Sequence, residues 1–125
     1  MKETCKILRA PTLPVSAFTV RVPTMNSHAE VVWVTMEKAP ADVNEVEQTL
    51  KSAPGIEVMR HNDPRRYPTQ TMASGTDPVY VGRIHRDLND PNTFLLWIVA
   101  DNLRKGAALN GLQIAERIFD TRVST

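Results

Sequence analysis

The sequence predicts an α+β domain in which helices flank a mostly antiparallel sheet. Short segments rich in β-branched and aromatic residues alternate with turn signals, and two longer segments have the apolar spacing of helices. The length of 125 residues suits one domain with a core of its own, and the composition, 42% hydrophobic and 23% charged, is that of a globular protein.

The first half of the chain contains two predicted strands. Residues 15–22 (VSAFTVRV) are rich in β-branched side chains and follow Pro14, and residues 30–37 (EVVWVTME) form an apolar run typical of a strand buried on both faces. The turn-like segment 23–27 separates them. We therefore expect the two strands to pair as an antiparallel hairpin.

A helix is predicted to begin at Asp42, because residues 42–45 have the spacing of a capping box. Its apolar face is formed by Val43, Val46 and Leu50, and the segment 53–55 (APG) ends it. Residues 56–59 follow as a short strand. Residues 60–77 lack periodicity, and a loop of this length in a small domain is usually functional or mobile.

The second half predicts a hairpin and a final helix. Residues 79–84 and 93–100 are the strands, and Asn89–Asn92 (NDPN) is the turn between them. Asp101 or Asn102 is expected to cap the helix. Its apolar stripe, interrupted by two glycines, consists of Leu103, Ala107, Ile114, Ala115 and Ile118.

Composition excludes several classes of function. A formal net charge of +1 gives no field that would attract nucleic acid. The single cysteine, Cys5, rules out a disulfide within the chain and suits a reducing compartment. The sequence contains neither a membrane-spanning apolar run nor a signal peptide, so a cytoplasmic location without a membrane partner is expected. P-loop, dinucleotide-fingerprint and zinc-ligand spacings are lacking, and no metal is expected.

Arg21 and His28 are the most suggestive candidates for chemistry. The predicted hairpin would bring an arginine on one strand near a histidine at the start of the next. A guanidinium binds a carboxylate through two parallel hydrogen bonds, and an imidazole transfers protons near neutral pH. The alternative is an exposed strand arginine and a surface-loop histidine without a chemical role, and the residues by themselves favour that alternative.

Four segments, in order along the chain, resemble the aspartate-semialdehyde dehydrogenase family. The last of them is the most distinctive. They are residues 3–8 (ETCKIL), residues 20–23 with 27–30 (VRVP and SHAE), residues 75–77 with 81–84 (GTD and VGRI), and residues 100–110 (ADNLRKGAALN). The resemblance covers nearly the whole chain and implies the carboxyl-terminal domain of the glyceraldehyde-3-phosphate dehydrogenase-like fold.

The resemblance implies the reduction of aspartyl phosphate to aspartate semialdehyde with NADPH, on the route to lysine, threonine and methionine. Glu3 matches the residue that contacts the substrate amino group, and Lys6 matches the lysine that binds phosphate. Arg21 matches the arginine that holds the substrate carboxylate. His28 matches the catalytic acid/base, and Asn102 matches a position at the nicotinamide end of the cofactor.

The chain also departs from the family pattern. Ser27 stands where the family usually has a glycine before the catalytic histidine, and Cys5 does not correspond to the family's nucleophile. The resemblance therefore implies that residues 1–125 are a dimerisation and catalytic domain, without the amino-terminal domain that binds most of NADP and carries the nucleophilic cysteine. This chain by itself is then expected to be inactive.

Two kinds of partner follow from the resemblance, a second copy of this chain or a separate amino-terminal half. The family places this sheet at its subunit interface, so Trp33 and the strand 93–100 are expected to face a second subunit. The alternative to a half-enzyme is a stand-alone module for dimerisation or ligand binding that performs no chemistry.

Overall fold

The computed structural model describes residues 2–60 and 66–119, which form one four-stranded sheet with helices. The strands are β1 (His28–Thr35), β2 (Ile56–Val58), β3 (Val79–Arg86) and β4 (Thr93–Ala100). The helices are α1 (Lys2–Ile7), α2 (Val43–Lys51), α3 (Gln70–Ala73) and α4 (Leu109–Phe119), and a π-helical segment, Arg104–Ala108, leads into α4.

The sheet has the order β1-β4-β3-β2 and is mostly antiparallel, as predicted. β4 is its centre: it pairs antiparallel with β1 along the whole of both strands and antiparallel with β3 on its other side. β2 adds to β3 in parallel. The hairpin of β3 and β4 is confirmed, and it continues two residues beyond the predicted end of β3.

Helix α2 covers one face of the sheet and closes the main core. Its cap is the predicted one: Asp42 Oδ1 accepts from the N–H of Glu45 at 2.9 Å, and Glu45 Oε2 accepts from the N–H of Ala41 at 2.6 Å. The helix thereby begins with its apolar face toward the sheet. The buried side chains of this core are Val46, Val81, Ile84, Phe94 and Leu96.

The opposite face of the sheet is covered in part. Ala73 of α3 packs against Tyr80 and Val99, and Trp97 Nε1 donates to the Pro68 carbonyl at 2.8 Å. The remainder of this face is exposed to solvent, as the 59% exposure of the Trp33 side chain shows. The expectation that β1 is buried on both faces is therefore wrong. The apolar run of β1 includes side chains that point away from the core.

The predicted strand 15–22 and its hairpin are also wrong. Residues 8–27 adopt neither helix nor strand, and Phe18 is 91% exposed. β1 pairs with β4 instead, some 65 residues along the chain. β-Branched composition favours an extended backbone, but a strand exists only where a neighbour supplies the hydrogen bonds. Helix α1 was not predicted from the sequence.

The irregular segment 60–77 contains α3, and its residues 61–65 lie outside the described part of the chain. Asp101 Oδ1 accepts from the N–H of Leu103 at 2.9 Å, but the terminal helical segment begins at Arg104 and its N-cap is Leu103, not the predicted Asp101 or Asn102. The predicted apolar stripe is exposed, with Ile114 at 52% and Ile118 at 65%. Within the described residues, every helix is too short or too polar to cross a membrane.

A methyl group at Gly82 is expected to disrupt the packing beneath Trp97. A Cβ there would lie 2.6 Å from Cδ of Pro68 and 3.3 Å from Cβ of Met59. Pro68 is fully buried and its carbonyl is held by Trp97, so the ring has little room to move. Gly82→Ala should lower the free energy of unfolding by about 1–3 kcal/mol in urea titrations.

Gly111→Ala is the matched control for that substitution. Gly111 lies in α4, and its added methyl meets nothing within 4 Å. This variant should be stabilised by up to about 1 kcal/mol, since alanine is the better helix former. Equal effects of the two substitutions would contradict the packing argument.

Candidate active site

His28 lies at the end of the sheet where β4 gives way to the terminal helix. It is the first residue of β1 and stands opposite Ala100, the last residue of β4. Antiparallel pairing therefore places the segment before His28 beside the residues that follow Ala100. His28 is exposed, so its ring is available to a ligand.

A hydrogen bond joins this segment to Asn102. The N–H of Ser27 donates to Asn102 Oδ1 at 2.7 Å. Asn102 thus holds the residue immediately before His28, and its Nδ2 has no hydrogen-bond partner among the described residues. The amide N–H₂ remains able to donate to a ligand. The structure therefore brings together two of the residues that the resemblance singled out.

Ser27 has the backbone of a glycine. Its φ is +76°, in the left-handed region that L side chains rarely adopt. Ser27 is buried, and its Oγ has no hydrogen-bond partner among the described residues. Both features explain in physical terms why glycine suits the position before His28. A serine here carries backbone strain and a buried hydroxyl that makes no hydrogen bond.

Ser27→Gly is accordingly expected to stabilise the chain. Glycine adopts a φ of +76° without a steric penalty. The free energy of unfolding should rise by roughly 1–2 kcal/mol, measured by urea denaturation. Ser27→Ala is the matched control, because it removes the hydroxyl and keeps the strained backbone. A gain with alanine as large as with glycine would assign the effect to the hydroxyl and contradict the strain argument.

Asp101 is the buried centre of the contacts around this end of the sheet. Its side chain is 2% exposed. Oδ2 accepts from Asn26 Nδ2 at 2.9 Å and from the N–H of Gly75 at 2.7 Å, in addition to the bond from Leu103 to Oδ1. We call Asp101 and these three partners the Asp101 network. It joins the segment before β1, the turn after α3 and the start of the terminal helix.

These hydrogen bonds favour the charged carboxylate. The N–H of Gly75, and after it those of Leu103 and Arg104, holds the pKa of Asp101 below its ordinary value, against the opposing effect of burial. The folded state therefore binds the Asp101 proton more weakly than the unfolded chain does. The stabilisation is fully present above the ordinary pKa of 3.8 and is lost as the pH falls through the lower folded value.

Acid is thus expected to weaken the domain partly through Asp101. The thermal unfolding midpoint of the wild-type chain should decrease as the pH is lowered below about 4. The Asp101→Asn variant should have a lower midpoint than wild type at neutral pH, and its midpoint should depend less on pH in the acid range. Asp42 and Asp90 also have lowered pKa values, from the Glu45 N–H and the Thr93 hydroxyl respectively. Their asparagine variants keep the Asp101 contribution, so a flattening equal to that of Asp101→Asn in either would argue against this assignment.

A second contact fixes the turn after α3. Arg104 Nε donates to Asp77 Oδ1 at 2.6 Å, and the two residues also form a salt bridge. Gly75 itself has a φ of +77°, which a turn of this kind demands. Ser74 Oγ donates to Asn26 Oδ1 at 2.7 Å. The turn therefore contacts two members of the Asp101 network, Asn26 through Ser74 and Asp101 itself through Gly75.

The structure positions the other three predicted residues on the surface. Glu3 and Lys6 are exposed on α1, and Arg21 is exposed in the irregular segment before β1. Within the described residues, none of the three forms a hydrogen bond or an ion pair through its side chain. The hairpin expected to carry Arg21 to His28 does not form. Their roles stay predictions, and all three side chains are free to contact a ligand or another polypeptide.

The sequence did not predict that the Asp101 network forms part of the site. Asp101 was recognised as a helix cap, and residues 75–77 only as a segment of family likeness. Neither signal reveals that a carboxylate three residues before Arg104 is buried among loops from distant parts of the chain. The described residues contain no group of three or more His, Cys, Asp or Glu side chains able to hold a metal.

The open side of the sheet contains a second surface of interest. Val31, Trp33, Leu95 and Trp97 lie together on it, and all of these except Trp33 line a pocket of about 380 Å³ together with three polar or aromatic side chains. These are Tyr67, Arg83 and His85, and the Arg83 guanidinium lies 5.3 Å from the centre of the Tyr67 ring. We refer to these seven residues as the exposed sheet face. Exposed apolar side chains grouped in this way are typical of interaction sites.

Comparisons with known proteins agree with the geometry. A profile of the semialdehyde dehydrogenase dimerisation domain matches residues 1–105. The aspartate-semialdehyde dehydrogenase of Bacillus subtilis is 42% identical over 118 residues, which are 94% of this chain and 34% of the relative. Aspartate-semialdehyde dehydrogenase 2 of Vibrio cholerae is 45% identical over 115 residues, 91% of this chain and 33% of the relative.

Solved structures give the same result. The crystal structure of aspartate semialdehyde dehydrogenase II from Vibrio cholerae, complexed with ASA, has a TM-score of 0.79 and 43% identity over 96% of this chain and 35% of its own. The enzyme from Francisella tularensis has a TM-score of 0.76 at 29% identity over 93% of this chain and 33% of its own. The predicted fold class, the carboxyl-terminal domain of a glyceraldehyde-3-phosphate dehydrogenase-like fold, is confirmed.

Proposed function

We propose that this chain forms the carboxyl-terminal half of an aspartate-semialdehyde dehydrogenase site, since it belongs to the family of semialdehyde dehydrogenase dimerisation domains. The chain spans about a third of the length of the relatives it matches. The remaining parts of the site, including the cysteine nucleophile, would come from a dinucleotide-binding domain on the same or a separate polypeptide. The substrate is aspartyl phosphate in one direction and aspartate semialdehyde with phosphate in the other.

The charge of each exposed candidate residue matches the substrate group that it would contact. Lys6 binds the phosphate, Arg21 binds the substrate carboxylate through its planar fork, and Glu3 contacts the substrate amino group. His28 transfers the proton at the reacting carbonyl, since an imidazole both donates and accepts near neutral pH. All four side chains are solvent-exposed in this chain, as a half-site that faces a second domain requires.

NADP would contact this chain at the same edge of the sheet. When bound, this cofactor supplies or receives the hydride of the reaction. Asn102 is the residue of this chain that would contact its nicotinamide end, because Nδ2 is left without a partner while Oδ1 is held by Ser27. Most of the cofactor would be bound by the other domain. Such a biosynthetic reaction also suits the reducing cytoplasm expected for the chain.

The observation that carries the proposal is the hydrogen bond from the Ser27 N–H to Asn102 Oδ1. It joins the residue before the acid/base candidate to the cofactor-contact candidate, although 75 positions separate the two in the sequence. The family resemblance assigned these roles independently of their proximity. A surface histidine without a function would need no such attachment.

Complementation tests this function. The purified chain is assayed for NADP- and phosphate-dependent oxidation of aspartate semialdehyde, by itself and mixed with the remaining part of the Vibrio cholerae relative. We expect activity in the mixture and none in either component. A folded chain that gives no activity in the mixture, and binds neither phosphate nor aspartate semialdehyde, would overturn the proposal.

A dimerisation module is the second candidate function, and the exposed sheet face favours it. Trp33 and Val31 remain 59% and 49% exposed on this face, and Val31 lines its apolar pocket. We propose that a second copy of this chain covers the face, which would bury these side chains. Self-association without activity in the complementation assay would favour this candidate over the half-enzyme.

A further inference from the structure

The Asp101 carboxylate has no part in the chemistry described above, yet it is among the most buried side chains of the described residues. It is 2% exposed and accepts hydrogen bonds from Asn26, Gly75 and Leu103 at 2.7–2.9 Å. Among the described residues it forms no salt bridge. Burial of an unpaired carboxylate is costly unless several donors surround it, so these donors must be held in a fixed arrangement.

The three donors come from separate parts of the chain, and two of them adjoin residues of the candidate site. Asn26 precedes Ser27 and His28, and Leu103 follows Asn102. Gly75 belongs to the turn that Asp77 attaches to Arg104. A shift of any one of them would move the carboxylate and, through it, the other two.

We propose that Asp101 is a positioning residue for His28. It holds the segment before β1 against the start of the terminal helix and thereby fixes the orientation of the imidazole relative to the substrate. This inference rests on the proposed function, in which His28 is the acid/base. Asp101 acts through Asn26 and through the Ser27–Asn102 hydrogen bond and does not contact the substrate. Its effect is on turnover, since a misplaced proton donor slows the chemical step while leaving the anion contacts of Lys6 and Arg21 intact.

Asp101→Asn is the sharpest test because it preserves the shape of the side chain. The amide has one accepting oxygen, and whichever way it is turned its N–H₂ group faces a donor, either the N–H of Leu103 or the pair Asn26 and Gly75. At least one bond of the network is therefore lost. Asp90→Asn is the matched control: Asp90 accepts from Asn92 N–H and Thr93 Oγ1 at the opposite end of β4, away from the site.

Two readouts are combined. In the complementation assay Asp101→Asn should lower kcat roughly 10–100-fold while KM for aspartate semialdehyde stays within about twofold, and Asp90→Asn should match wild type. In the isolated chain, NMR should show amide exchange of Ser27 accelerated about tenfold or more and the ring signals of His28 displaced. Where Asp101→Asn does not fold, Asn26→Ala replaces it, because this variant removes one bond of the network from a half-buried position.

The proposal would be overturned if a variant lost the protection of the Gly75 amide from hydrogen exchange but kept the wild-type exchange rate of the Ser27 amide and the wild-type His28 ring signals. Asp101 would then stabilise only the turn that contains Gly75. A rise in KM as large as the fall in kcat would also overturn the proposal, because it would show that substrate binding is lost together with turnover. Absence of activity in the wild-type mixture would reject the proposed function instead. In that case the NMR comparison still decides whether Asp101 orients His28.

Discussion

His28→Ala is expected to lower the turnover of the complemented site by roughly 10²–10⁴-fold, the usual contribution of a general acid/base. The imidazole is exposed at the first position of β1, so its removal leaves the sheet and core unchanged. The thermal midpoint should therefore stay at the wild-type value. Steady-state rates of NADP reduction by aspartate semialdehyde and phosphate measure the effect, with the partner half in excess.

Two further variants make the result specific to proton transfer. His28→Gln retains a polar side chain that can form hydrogen bonds but cannot exchange a proton near neutral pH, and it should be nearly as impaired as the alanine variant. Lys38→Ala, an exposed position beyond the other end of β1, should keep full activity. Wild-type rates in His28→Gln would contradict the assignment of acid/base catalysis to this residue.

The elements that could be predicted from sequence are those whose signals are local. The capping box at Asp42 and the apolar spacing after it are sufficient for α2, and the NDPN turn is sufficient for the β3–β4 hairpin. The strand 15–22 failed because its prediction assumed a partner next to it in the sequence. β1 instead found β4, and residues 8–27 were left without a strand neighbour.

The candidate site divides along the same line. The resemblance identified His28 and Asn102, and the structure joins their surroundings through Ser27. The positive φ of Ser27 could be anticipated from the family's glycine. The buried state of Asp101 could not, because it results from the convergence of three segments that are distant in sequence, and an aspartate before a helix reads as an ordinary cap.

Trp33→Glu is expected to raise the dissociation constant for self-association by at least about 100-fold. Tryptophan is typical of the few residues that carry most of the energy of an interface, and Trp33 lies opposite Leu95 on the edge strand of the exposed sheet face. A glutamate there would also have to be buried without a matching cation from its own strand. Sedimentation velocity over a micromolar concentration series measures the shift from dimer to monomer.

Leu88→Glu separates the loss of a specific contact from the general effect of an added charge. Leu88 is 98% exposed in the turn between β3 and β4, apart from the exposed sheet face, so this variant should associate as wild type does. The Trp33 side chain is 59% exposed in the isolated chain, and its replacement should therefore leave the far-UV circular dichroism of the monomer unchanged. If Trp33→Glu and the wild-type chain associate equally well, the partner does not bind at this face and the apolar pocket beside Trp97 has another occupant.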